Sequence, residues 1–308
     1  MTRTICIYHG NCADGFTAAW AVWKALGDEV EFIPATYGDE PPDVVGADVI
    51  IVDFSYKRPV IEAMEEQARS ILILDHHETA RDDLAGFPRP YSDWELHHQS
   101  VTHWDELSDA PCICAVFDMD RSGAQLAWDY FHMDHGYHSG MPLIRPALVD
   151  YIADRDLWRF DLPHSRAAAS WYFSRAYDFH EWQRMADQLK NAEGFSAAVA
   201  EGIVIDRKHA KDIAELLSVT RREMVICGYR VPVANLPYTL ASDAGNLMAE
   251  GQPFAATYFD TATGNRAVSL RSHKRGVNVA KIARAYGGGG HARAAGFKAS
   301  RAWEGEEP

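Results

Sequence analysis

The chain has 308 residues, 47% of them hydrophobic, with 44 acidic against 30 basic side chains and a formal net charge of −14. That apolar content excludes a disordered chain, and the length suits roughly two domains of ~100–200 residues. No apolar run approaches the ~20 residues of a membrane span, Met1–Tyr8 is too short and mixed for a signal peptide, and five cysteines are too few for a disulfide framework, so a reduced, cytoplasmic protein with no membrane segment is expected.

In chain order, Thr4–His9 reads as a strand and Phe16–Leu26 as a helix. Val30–Ala35, Asp48–Asp53 and Ser70–Asp75 read as further strands, with a helix over Pro59–Arg69. Unbroken Ile/Val/Leu runs alternating with helices predict a parallel sheet covered on both faces. Gly86–Asp120 reads as a long loop or insertion, 122–132 and 142–153 as helices, and 178–222 as helix-rich. From 223 onward, short strand candidates (224–235, 254–260, 266–272) alternate with short helices (240–250, 278–287). The expected fold class is therefore α/β: an N-terminal parallel-sheet domain over 1–188, a helical linker over 189–222, and a smaller mixed α/β domain over 223–308. Charge divides similarly. Residues 1–224 carry a net −18 and residues 225–308 a net +4.

Three of the predicted strands end in His9, Asp53 and Asp75. Ligands of open α/β sheets bind at the carboxyl ends of strands, so these three residues mark one candidate site. Asp75-His76-His77 places a carboxylate and two imidazoles beside a core, which is costly unless they bind something. His9-Gly-Asn-Cys-Ala-Asp14-Gly15 precedes a helix, and Asp154-Arg-Asp156 ends another. Imidazoles and carboxylates together suit a divalent ion such as Mn²⁺, and gathered carboxylates need cations between them. In the C-terminal part, four successive glycines lead into His291 and Arg293, and Ser269-Leu-Arg271-Ser272 closes a strand. Exposed backbone N–H groups and a guanidinium of this kind suit phosphate.

These motifs (HGNCADG, VDF, DHH, ADRD, and GGGGHARAAGF near the C-terminus, with SGAQLAW between) resemble the DHH phosphoesterase superfamily, in the subgroup with a DHH-associated C-terminal domain. The resemblance covers nearly the whole chain. Members include RecJ-type exonucleases, nanoRNases, phosphatases of 3′-phosphoadenosine 5′-phosphate, cyclic-dinucleotide phosphodiesterases and, without that C-terminal domain, family II pyrophosphatases. It implies two Mn²⁺ ions, with Mg²⁺ or Co²⁺ as substitutes, held by His9, Asp14, Asp53, His76 and Asp154, Asp53 bridging. It further implies that Asp75 orients or joins the metal shell and that His77 faces the substrate. Arg271, Ser272, Gly288, Gly289, Gly290 and His291 are the implied substrate contacts. The implied activity is two-metal hydrolysis of short oligonucleotides or small nucleotide phosphoesters. Rival readings are a RecJ-type exonuclease on single-stranded DNA, which wants a longer basic, aromatic groove, and a non-catalytic nucleotide-binding sensor.

One departure bears on the metals. Many relatives carry a second aspartate two residues before the position of Asp14, where this chain has Cys12. Cys12, Asn11 or a water are the alternatives for completing that shell, and Asp156 competes with Asp154. His97, His98, His103, Cys112 and Cys114 lack the spacing of a second metal site. Trp20, Trp23 and Trp128 sit at core-like helical spacing, and Arg207–Lys211 reads as a solvated helix face. No obligate protein partner is evident, and a homodimer is compatible with the sequence.

Overall fold

The computed structural model describes residues 3–89, 113–132 and 144–306. The chain divides into two compact units between Ile205 and Asp206. The first holds strands β1 (Thr4–His9), β2 (Val30–Ala35), β3 (Asp48–Val52), β4 (Ser70–Asp75) and β5 (Ile113–Phe117). Its helices are α1 (Ala13–Leu26), α2 (Arg58–Glu65), α3 (Glu78–Asp83), α4 (Gly123–His132), α5 (Ala147–Asp156), α6 (Ser165–Phe173) and α7 (Phe179–Gln188). The long helix α8 (Ala192–Thr220) runs through the point of division.

The five strands form one parallel sheet in the order β2-β1-β3-β4-β5. Alternation along the strands supplies both covering layers. Ile5, Ile7, Val49, Ile51, Ile71 and Ile73 face one core, while Cys6, Ile50, Val52, Leu72 and Leu74 face the other, against α1 and α4. Each fully buried branched side chain contributes roughly 1.5–3 kcal/mol. A third core, around Trp20, Trp171 and Trp182, joins α1 to α5–α7. Trp20 stacks on Trp128 at 5.5 Å, so these indoles pack as their spacing predicted. The strand order reverses direction between β1 and β3, and such a switch point opens a crevice at the carboxyl ends of those two strands.

The second unit carries β6 (Arg222–Ile226), β7 (Tyr229–Asn235), α9 (Ala241–Met248), β8 (Ala255–Asp260), β9 (Asn265–Arg271), α10 (Val279–Ala285), β10 (Gly289–Gly290) and β11 (Ala294–Ser300). Its sheet runs β10-β11-β9-β8-β7-β6 and is mixed: β7 and β8 are parallel, the other pairs antiparallel.

The expected α/β class and both sheet types are therefore present, with local differences. The stretch read as a loop or insertion contains β5, an apolar run of five residues too short to carry a periodicity of its own. The helix expected from 142 begins at Ala147, just after Pro146, which supplies its N-terminal boundary. His97, His98, His103 and Cys112 lie outside the described residues, whereas Cys114 is a buried core residue of β5. No helix among the described residues is long and apolar enough to cross a membrane.

Candidate metal centre

Residues at the carboxyl ends of the strands line the switch-point crevice. His9 ends β1, Asp53 comes directly after β3, and Asp75-His76-His77 closes β4. Asp53 holds a left-handed backbone, φ 54°, a conformation that side-chain-bearing residues adopt only where surrounding structure enforces it. Two contacts enforce it. The Asp53 N–H donates to the Leu74 carbonyl at 2.9 Å, and Gly123 at the start of α4 lies so close that a Cβ there would stand 2.4 Å from Asp53 Cβ.

Asp14, in the first turn of α1, is 1% exposed. Its carboxylate accepts the backbone N–H groups of Gly123 (2.6 Å) and Ala124 (3.1 Å), so it sits at the positive end of the α4 dipole. His76 Nε2 lies 2.9 Å from Asp53 Oδ1, 3.7 Å from Asp14 Oδ2 and 3.6 Å from Asp156 Oδ2. His9 Nδ1 faces the other Asp53 oxygen at 3.4 Å. Within the first unit two donor groups result among the described residues, each within the reach of one ion: His9, Asp53 and His77, and Asp14, Asp53 and His76. They share Asp53.

This crowding sets the electrostatics. Burial, then the charges of Asp53 and Asp156, push the Asp14 carboxyl well up. Burial alone would raise Asp53 too, but the facing imidazoles of His76 and His9 outweigh it and hold Asp53 well down. Burial opposes protonation of His76, yet Asp53, Asp156 and Asp14 together raise it to about 10. Cys12 is pushed well up, first by burial and then by Asp53, Asp156 and Asp14, so it is held as a thiol. It belongs to neither donor group among the described residues.

Asp75 is fully buried with both oxygens occupied. Oδ1 accepts from His76 N (2.7 Å), His77 N (3.2 Å) and His77 Nδ1 (2.7 Å), and Oδ2 accepts from Ser55 Oγ (2.8 Å). Asp75 thus orients His77, a member of the first donor group. Burial opposes protonation of His77, and the Asp75 carboxylate outweighs it to raise the imidazole pKa. Asp154 and Asp156 stand in different surroundings. The Asp154 oxygens accept the N–H groups of Asp161 (2.9 Å) and Leu162 (3.3 Å), which pins the loop after α5, and the carboxylate that faces His76 is that of Asp156. On a helix, residues two apart point to different sides, which gives the two carboxylates different neighbours.

These residues fit divalent ions. Both Asp53 oxygens and His9 Nδ1 are buried without a well-formed hydrogen bond, and three acidic side chains stand around two imidazoles. Such an oxygen and nitrogen donor set suits Mn²⁺ and its neighbours.

In the second unit, Arg271 ends β9 and donates to Ser242 Oγ at 2.7 Å and to the Leu270 carbonyl at 2.9 Å. Ser272 is 3% exposed and its hydroxyl donates to the Val277 carbonyl at 2.8 Å. Gly288 is required by packing, since a Cβ there would lie 2.0 Å from the Gly296 carbonyl oxygen. Gly289 and Gly290 form β10, and His291 opens the tight turn into β11 through its N–H bond to the Ala294 carbonyl at 2.7 Å. Sequence reasoning missed Ser55 and the N–H pair of Gly123 and Ala124. Their signal was their place inside VDFS and SGAQLAW.

Residues 239–307 match the DHHA1 domain family. An uncharacterized protein of Acanthamoeba polyphaga mimivirus is 24% identical over 95% of this chain and 66% of its own length. The oligoribonuclease NrnB of Bacillus subtilis (strain 168) is 24% identical over 65% of this chain and 51% of its own. The chain therefore spans a little under two thirds and about half of the relatives it matches. Among solved structures, RecJ of Thermus thermophilus in complex with Mn²⁺ is similar with a TM-score of 0.49 and 17% identity, covering 98% of this chain and 50% of that one. The Asp75-His76-His77 motif thus stands at the heart of the centre, and the C-terminal residues 239–307 carry the match to the DHHA1 domain family.

Proposed function

We propose that the protein is a metal-dependent phosphodiesterase that hydrolyses short oligonucleotides or small nucleotide phosphoesters. The observation that carries this reading is the pair of donor groups sharing Asp53, an arrangement suited to two adjacent ions. The name of one relative, an oligoribonuclease, supports the same class of chemistry.

In this reading His9, Asp14, Asp53, His76 and Asp156 hold two divalent ions, Mn²⁺ first among candidates. When bound, the ions supply positive charge to the phosphoryl group and lower the pKa of an attacking water. His77 lies in the first donor group but is assigned here to the substrate and not to an ion: held by Asp75, it offers a proton toward the phosphoryl or leaving oxygen, and its partner carboxylate fixes which ring nitrogen faces the substrate. In the second unit, Arg271 and the Gly288–His291 segment contact phosphate or base. Ser272 is left out because its hydroxyl is committed to Val277.

The test is Mn²⁺-dependent digestion of end-labelled RNA and DNA of two to about thirty nucleotides, a range set around the site sizes of single-strand binders. Rates falling steeply with length are expected. Equal or faster cleavage of long DNA would favour the RecJ-type reading. Nucleotide binding without any hydrolysis would favour a sensor. Asp75→Ala is expected to be inactive, since it releases His77 and leaves the cluster misaligned.

A further inference from the structure

Tyr37 belongs to no motif, yet the fold brings it to the same crevice. It lies just beyond β2, so a fourth strand end contributes to the centre. Its ring meets the His9 ring at 5.8 Å and the His77 ring at 5.9 Å, both edge-on, and those two imidazoles are themselves 5.8 Å apart. The three rings therefore form a near-equilateral triangle, backed by Phe54 at 5.3 Å from Tyr37. The loop that presents Tyr37 is pinned on one side: Asp39 Oδ2 accepts from both Thr36 N (2.7 Å) and Thr36 Oγ1 (2.8 Å).

Packing explains the ring but not the hydroxyl. A phenylalanine would fill the same triangle. Tyr37 is 37% exposed, and its hydroxyl has no hydrogen-bond partner among the described residues. A phenol O–H is a donor of the right strength for an anionic oxygen, and a donor at a site with no protein acceptor is available to a ligand. The neighbours on two sides are the imidazoles of the His9, Asp53 and His77 group, so the ligand expected there is the one that group serves.

We infer that the Tyr37 hydroxyl donates a hydrogen bond to a non-bridging phosphoryl oxygen of the bound phosphoester, next to His77. The inference rests on the phosphodiesterase reading and adds a substrate contact to it. Losing one preorganised donor to an oxyanion costs about 10²–10³ in kcat in the strongest cases, and a partly exposed donor belongs at or below that range.

The decisive variant is Tyr37→Phe, which keeps the ring and removes only the hydroxyl. Calorimetric titration with Mn²⁺ is expected to give an unchanged affinity. Subsequent titration of the Mn²⁺-loaded protein with inorganic phosphate is expected to show binding about tenfold weaker than in the parent. On a dinucleotide, kcat is expected to fall about 10–100-fold with KM changed less. Wild-type kcat and phosphate affinity in Tyr37→Phe would overturn the inference. So would a parallel loss of Mn²⁺ affinity, which would make Tyr37 a prop for His9 and His77. A parent protein that binds phosphate through Tyr37 but cleaves no phosphoester would sink the hydrolase reading and keep the contact. A parent that binds no phosphate at all would overturn the contact itself.

Discussion

Asp53 carries the greatest demand of any described residue. It is 1% exposed, holds a left-handed backbone, and faces two imidazoles while belonging to both donor groups. Asp53→Asn is a clean probe, because asparagine tolerates that backbone and removes the charge. It is expected to keep the fold by circular dichroism and to weaken Mn²⁺ binding by at least about 100-fold in calorimetry, since even residues that merely support a metal ligand cost ~10–100-fold. His76 sets the pH dependence. Its raised pKa, about 10, means the metal-free cluster keeps a proton on the imidazole that each productive ion must displace. Mn²⁺ affinity is therefore expected to rise as pH increases toward 10, with proton release on binding. The linked stability runs the other way. The His76 ion pair with Asp53 contributes fully below the unfolded histidine pKa of ~6.5, and the contribution is lost as pH rises through about 10. Thermal melts of EDTA-treated protein across that range, set against Mn²⁺-loaded melts, check both signs; affinity that falls with rising pH would refute the assignment.

At the scale of elements, the start of α4 is the joint on which the centre turns. Gly123 touches Asp53 and donates its N–H to Asp14, so one residue serves both carboxylates. Gly123→Ala must displace Asp53, α4 or both. Overpacking of this kind costs ~1–3 kcal/mol, and the expected readouts are a lower Tm together with at least about tenfold weaker Mn²⁺ binding. An unchanged Mn²⁺ affinity would show that the carboxylate positions are not set by this contact. In the second unit, Asn278 caps α10 by accepting from Ala280 N (3.0 Å) and Lys281 N (3.3 Å). Asn278→Ala is expected to lower stability by ~1 kcal/mol in urea unfolding. The elements legible in the sequence were those with long apolar runs and clear boundaries, β1 to β4 and α1 above all. Strand β5 and helix α6 were not, because a strand of five residues and a helix rich in alanine carry little periodic signal.

At the scale of the whole molecule, the two parts of the chain carry opposite charge, with residues 1–224 at −18 and 225–308 at +4. Part of the acidity now has a task, because Asp14, Asp53 and Asp156 surround the imidazoles of the proposed metal centre. The remaining negative charge would work against long polyanions, and the proposed short substrate would make about two or three phosphate contacts. For single strands each contact contributes about −0.7 to the slope of log K against log salt, so a slope of about −2 is expected for a short oligonucleotide. A slope steeper than about −5 would point to a long, tracked strand and to the exonuclease reading.

The residue types of the site were legible without coordinates. Unbroken apolar runs ending in His9, Asp53 and Asp75 require a parallel sheet with polar groups at its carboxyl edge, and that inference needs only burial and hydrogen-bonding rules. Of the neighbouring carboxylates Asp154 and Asp156 the sequence favoured Asp154, whereas Asp156 is the one that stands 3.6 Å from His76. That placement depends on the rotation of α5, and Asp154 meanwhile accepts the backbone N–H groups of Asp161 and Leu162. Tyr37 was equally invisible, since a lone tyrosine in a loop has no periodicity and no motif; only the side-by-side order of β2 and β1 brings it to His9. Chemistry confined to short segments is written along the chain. Orientation between segments is decided by packing, because the direction of a side chain is a property of the element that carries it and of the neighbour it meets.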